Sequence, residues 1–161
     1  MMKSYIESIE RMKQNKYYTN LADLTIADYG NILEYQKSII FKNMRKRTYM
    51  YVSNLELSNL NQIFDCLVVI AISSLKFLSM MTKKNEETII KENTVLFENK
   101  NSDYGNSFTD FGLIGIIVRL NDKINRILNL TKKSNIMKVD EKIEDTINDL
   151  YNYCMIGLMF E

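Results

Sequence analysis

A chain of 161 residues with net charge +1, two cysteines and no histidine has no Ser–His or Cys–His pair, no His-ligated metal, and too few thiols for a zinc site or a disulfide framework. The near-neutral charge gives no bulk pull toward nucleic acid or a membrane, so neither is an expected partner. With no proline, five glycines and 46% hydrophobic residues, the chain predicts one all-α domain over 1–161, built from a few long helices.

Cys66 and Cys154 both sit in apolar stretches and read as core packing in a reduced cytosol. Oxygen ligation by Asp and Glu is then the remaining metal chemistry, which means magnesium, manganese or calcium. The polar N-terminus shows no signal peptide, and the cytoplasm is the default expectation.

Tyr5, Ile6, Ile9 and Met12 fall at helical spacing and predict a first helix over about 3–14. Residues 15–30 are polar and irregular. A second helix is expected over about 31–51, with Ile32, Leu33, Tyr35, Ile39, Ile40 and Met44 on its apolar side. Its cluster Lys42, Arg45, Lys46 and Arg47 reads as a solvated basic face. Only Tyr49 and Tyr51 would support a nucleic-acid platform there.

A third helix, about 56–81, is apolar on nearly all sides and belongs at the bundle centre. Its apolar run is broken by Asp65, Ser73, Ser74 and Lys76. It therefore falls short of the roughly 20 apolar residues of a membrane span. A fourth helix over about 86–100 carries Ile89, Ile90, Leu96 and Phe97, with a strand at 93–97 as the alternative. A fifth helix is expected over 110–130, a polar linker over 131–138, and a last helix over 140–160 with Asp140 as its N-cap. The result is a bundle of five to six helices.

Three polar blocks interrupt the apolar pattern of the C-terminal part. Lys-Asn-Ser-Asp-Tyr-Gly at 100–105 reads as a helix stop, since Gly105 can take a left-handed backbone. Ser107 or Thr109 can then cap the next helix. The functional alternative puts Lys100, Asp103 and Tyr104 at the mouth of a cavity. In the fifth helix Arg119, Asp122, Lys123 and Arg126 stand at i, i+3, i+4 and i+7 on one face. That face is either a solvated, salt-bridged stripe or a phosphate clamp.

In the last helix Glu141, Glu144, Asp145, Asn148, Asp149 and Asn152 crowd one arc. First-turn acids suit the helix dipole and explain Glu141, Glu144 and Asp145. They do not explain Asp149 and Asn152. The arc continues into Met155, Ile156 and Met159, which predicts burial along its whole length and an inward acid cluster.

Taken together, Lys-Asn-Ser-Asp-Tyr-Gly-Asn-Ser-Phe at 100–108, Phe-Gly-Leu-Ile at 111–114, Arg-Leu-Asn-Asp-Lys-Ile-Asn-Arg at 119–126 and Ile-Glu-Asp-Thr-Ile-Asn-Asp-Leu-Tyr-Asn-Tyr at 143–153 resemble the family called nucleotide modification associated domain type 1. That family occurs in bacteriophages and bacteria and is similar to the MazG-like all-α nucleotide pyrophosphohydrolases. The resemblance covers about 95–160; residues 1–90 carry no recognised motif. It implies a MazG-like bundle, a homo-oligomer such as a dimer, and cleavage of a nucleoside triphosphate between the α and β phosphates with magnesium held by carboxylates.

Asp149 followed by Tyr153 matches the second acid of the Glu-x-x-Asp pattern of those enzymes. Thr146 stands at the first acid position, so Asp145 substitutes for it, and their Glu-Glu-x-x-Glu helix is missing. On this reading Asp122, Asp145 and Asp149 are the catalytic acids, and Glu144, Asp145 and Asp149 hold magnesium. Lys100, Asp103, Tyr104, Arg119, Lys123, Arg126 and Asn152 bind the nucleotide. The first alternative is a non-catalytic module that senses or sequesters a nucleotide. The second is a helical interaction protein whose charged stripes face solvent.

Overall fold

The computed structural model describes residues 2–45, 57–105, 107, 110, 112–132 and 140–161, with side chains at positions 2, 3, 45, 57, 58, 104 and 140–142 left aside. Seven helices appear among the described residues: α1 (Met2–Lys13), α2 (Tyr17–Asn20), α3 (Ile26–Arg45), α4 (Leu57–Thr82), α5 (Glu86–Tyr104), α6 (Gly112–Thr131) and α7 (Asp140–Leu158). The fold is all-α, and the strand alternative at 93–97 lies inside α5.

The polar stretch 15–30 is more ordered than its composition suggests. It contains the short α2, and α3 starts at Ile26 rather than near 31. A reciprocal cap starts α3: the Asp28 N–H donates to Thr25 Oγ1 at 3.0 Å, and the Thr25 N–H donates to Asp28 Oδ2 at 3.3 Å. Two orphan donors of the first turn are thereby satisfied. The early start buries Tyr29, whose hydroxyl shares a 2.7 Å hydrogen bond with Ser74 of α4. Lys42 is exposed; the side chains of Arg45, Lys46 and Arg47, like residues 49 and 51, lie outside the described residues.

Helix α4 is the centre of the bundle. Ile63, Leu67, Val68, Ile70, Ala71, Leu75 and Leu78 are buried, and α3 and α7 pack along it. Residues 59–82 are long and apolar enough to cross a membrane, but 72% of that apolar stretch is buried inside the protein. The chain's own helices cover most of it. Cys66 and Cys154 are free thiols in this core. Burial pushes the Cys66 thiol up to about 12, as expected of an unreactive packing residue.

Helix α7 packs on both α4 and α6, and α6 also packs on α3. Gly157 lets α7 approach closely: a Cβ there would sit 2.7 Å from Leu67 Cδ1 and 3.5 Å from Ile116 Cγ2. Helix α5 is longer than its pattern predicts and runs four residues past Lys100. Asn85 caps its start by accepting the Thr88 N–H at 2.8 Å. Gly105 ends it with φ 58, donating its N–H to Asn101 O at 2.9 Å. This left-handed stop is the one read from the sequence. Gly112 also takes positive φ, at 62, where α6 begins.

Candidate functional site

A cleft of about 590 Å³ opens where α5, α6 and α7 meet. Leu96 and Lys100 form the α5 wall, with the buried Phe97 at its foot joining the floor, and Gly115 and Arg119 form the α6 wall. Asp149, Asn152, Tyr153 and Ile156 supply the α7 floor, and Ser107 and Asp110 close the end between α5 and α6. Burial grades from rim to floor. Lys100 and Arg119 are exposed, Asp149, Asn152 and Tyr153 are half-buried, and Phe97 and Ile156 are buried. Cations therefore stand at the rim, over a floor of aromatic and apolar groups.

Lys100, Arg119, Asp149 and Asn152 are the sequence candidates that the fold brings to this cleft. Lys123 reaches it indirectly: its Nζ lies 3.0 Å from Asp149 Oδ2, with side-chain exposures of 26% and 34%. This ion pair ties α6 to α7 and occupies the acid that capping and dipole effects left unexplained. Asp103, Asp122, Arg126 and Asp145 are exposed and do not line the cleft, and neither does the half-buried Glu144. The side chain of Tyr104 and the structure of Thr109 lie outside the described residues, as do the side chains of Asp140 and Glu141.

The common cavity expected for Asp122, Arg119, Asp145 and Asp149 therefore forms with only Arg119 and Asp149 of that set. Position along the helix, not face, separates Asp145 from Asp149: they stand i and i+4 on one face, with Asp145 a turn farther from the cleft, whereas Glu144 points about 140° from Asp149 around α7. The α7 arc is also not buried along its length: Asp145 is exposed, Asn148 and Asp149 are half-buried, and Met155 and Ile156 are buried. Among the described residues no three acids or thiols gather closely enough to hold a metal ion. Glu144, Asp145 and Asp149 do not form a ligand set.

The amides of the arc have another partner. Asn93 of α5, 3% exposed, donates from Nδ2 to Ile89 O at 3.0 Å and to Asn148 Oδ1 at 2.9 Å. Asn148 Nδ2 donates to Glu144 O at 3.0 Å. Asn152 Nδ2 donates to Asn93 Oδ1 at 2.8 Å, and the Tyr5 hydroxyl of α1 donates to Asn152 Oδ1. The Tyr5 ring stacks on Phe97 at a centroid distance of 4.1 Å. Burial raises the Tyr5 phenol well above its ordinary range, so it stays protonated and a donor. Half-buried amides on α7 are thus satisfied by α1 and α5, as buried polar groups have to be.

Sequence reasoning did not assign Asn93, Tyr5 or Asp110 to the site; Tyr5 was read only as an apolar position of the first helix. Asn93 carried a usable signal, a poor helix former amid an apolar run. The hydrogen-bond partner of Tyr5 is 147 residues away and leaves no local trace.

Residues 100–160 match the family model described as nucleotide modification associated domain 1. No curated protein and no solved structure matches the chain. The matched segment includes Lys100, Arg119, Asp149 and Asn152, whereas Tyr5, Asn93 and Phe97 precede it.

Proposed function

We propose, from the premise that residues 100–160 carry a nucleotide modification associated domain, that the α5–α6–α7 cleft binds a phosphorylated nucleotide. One observation carries this reading. Lys100 and Arg119 come from two different helices, make no ion pair among the described residues, and stand together over a floor containing Phe97, Tyr153 and Ile156. Exposed cations meet phosphate oxygens at the rim, and an apolar floor takes a base. A volume of about 590 Å³ is in the range of small-molecule sites.

Magnesium enters this reading as the nucleotide's own counter-ion. Mg²⁺ keeps several waters and takes one or two carboxylates together with substrate phosphates; Asp110 and Asp149 are the acids on the cleft wall. The finer reading, attack of water on the α-phosphorus to release pyrophosphate, has less support. Asp149 is engaged by Lys123, and among the described residues no group of three acids gathers to hold a metal without the nucleotide. Binding is therefore the function we favour over hydrolysis.

The test is a panel of nucleoside mono-, di- and triphosphates, with and without magnesium, that records heat of binding and product together. Saturable binding that strengthens with phosphate number is expected, with little or no product. Rapid release of pyrophosphate would restore the hydrolytic reading. A chain that binds no nucleotide in the panel would overturn the assignment of the cleft.

A further inference from the structure

We propose that Asn152 is the specificity-determining residue of the cleft, locked as an N–H donor by a hydrogen-bond relay through Asn93, so that the bound nucleotide carries a keto oxygen rather than an amino group at the position it reads. The proposal rests on the nucleotide-binding reading of the cleft and names the class of base it takes.

The relay is fixed at both ends by groups that have only one hydrogen-bonding sense. Backbone carbonyls accept and never donate. Ile89 O therefore requires Asn93 to present Nδ2 to it, and Glu144 O requires the same of Asn148. Asn148 then turns Oδ1 toward Asn93, which uses the second Asn93 N–H. Both donors of Asn93 are now spent, and its Oδ1 faces Asn152. Only an N–H satisfies that oxygen, so Asn152 places Nδ2 there and turns Oδ1 to the Tyr5 hydroxyl, which donates. An amide orientation that is ordinarily assigned by choice between two flips is here determined by the chemistry of its neighbours.

One group is left over. Asn152 Nδ2 has two hydrogens, and Asn93 takes one. The second has no partner among the described residues, and Asn152 lines the cleft floor, as does Phe97. The floor is the part of the cleft that an apolar ring enters while its phosphates stay with Lys100 and Arg119 at the rim. A donor at that depth favours a ring oxygen. An amino group there would set two donors against each other and leave both unsatisfied. The relay holds Asn152 against the flip that would accommodate an amino group.

The experiment uses near-isosteric pairs that exchange a keto oxygen for an amino group, the adjacent ring nitrogen changing from N–H to acceptor with it: uridine against cytidine triphosphate, and inosine against adenosine triphosphate, titrated calorimetrically with magnesium. The wild-type chain is expected to bind the keto member of at least one pair about tenfold more tightly. Asn152→Ala is expected to bring that ratio close to one. Asn93→Leu, which frees Asn152 to flip, is expected to do the same, whatever it does to melting temperature. Tyr5→Phe keeps the ring on Phe97 and is expected to lower the ratio by a smaller factor. A structural role alone would shift stability and leave the ratio untouched.

Equal binding of both members by wild type, or preference for the amino member, would overturn the proposal and leave the cleft assignment standing. A ratio that survives Asn152→Ala, or survives Tyr5→Phe unchanged together with a folded Asn93→Leu, would also overturn it. Absence of binding by every member would instead remove the nucleotide reading on which it depends.

Discussion

The matched segment and the helices before it divide the work unequally. Residues 100–160 bring Lys100, Arg119, Asp149 and Asn152 to one cleft, but the groups that orient them lie largely elsewhere. Asn152 is held by Asn93 and Tyr5, and α7 lies against Leu67 of α4. Internal to the segment are the Lys123–Asp149 pair and the packing of α6 on α7, with Gly157 against Ile116. The difference teaches that a motif can carry the contacts of a site while its geometry is set by chain the motif does not include. The segment contributes cleft-lining residues, and α1, α4 and the earlier part of α5 complete their setting.

The largest expected effect breaks this comparison from outside the segment. Leu67→Ala removes a fully buried side chain that meets α7 at Gly157. It is expected to cost about 3 kcal/mol in urea unfolding, with amide exchange rising in α7 as much as in α4. If α7 kept its protection, the matched segment would be a unit of its own and the comparison would fail. Inside the segment, Gly105→Ala strains the left-handed end of α5, where φ is 58 and no neighbour crowds the site. A loss of about 1 kcal/mol is expected from backbone strain alone. A neutral or stabilising result would show that this helix end does not depend on glycine.

The internal ion pair is expected to contribute less. A double-mutant cycle on Lys123→Ala and Asp149→Ala is predicted to give a coupling below about 1 kcal/mol, because both groups are partly solvated. A coupling of several kcal/mol would mean that the segment holds itself together.

The smallest effect lies wholly outside the segment. Lys13 Nζ stands 2.8 Å from Glu87, which also accepts from the Tyr18 hydroxyl. The hydrogen bond from Lys13 holds the Glu87 carboxyl below its ordinary range. A depressed folded value means that stabilisation is present above the unfolded carboxyl value of roughly 4.3. It is lost as pH falls through the folded value. Acidification from pH 6 to 3 should therefore lower the melting temperature slightly more in wild type than in Lys13→Gln. Equal losses would remove Glu87 from the acid response.

Much of the fold is legible in local pattern. The apolar run over 64–81 marks α4 as the central helix, and the Gly105 stop and the periodicity of α6 follow from helix geometry alone. The start of α3 was also legible: Thr25 and Asp28 stand three apart like a capping box, yet the polar composition around them conceals it. The site was readable only in part. Spacing says that Arg119, Asp122, Lys123 and Arg126 share a face, but not that only Arg119 reaches a cleft. That depends on how far α5 runs and where it packs. Nor does the α7 arc reveal that Asn152 is satisfied by residues 59 and 147 positions away, since such pairings exist only once the bundle has closed.

The central claim is that the rim cations of the cleft hold the phosphates. Titration of a nucleoside triphosphate with magnesium into wild type, into the Lys100→Ala/Arg119→Ala double variant, and into Arg126→Ala compares cleft charges with an equally exposed charge on the same face of α6. The account predicts that the double variant loses about a hundredfold in affinity, while Arg126→Ala stays within about twofold of wild type, a surface charge being largely screened. Equal losses in both variants, or undiminished binding by the double variant, would contradict it.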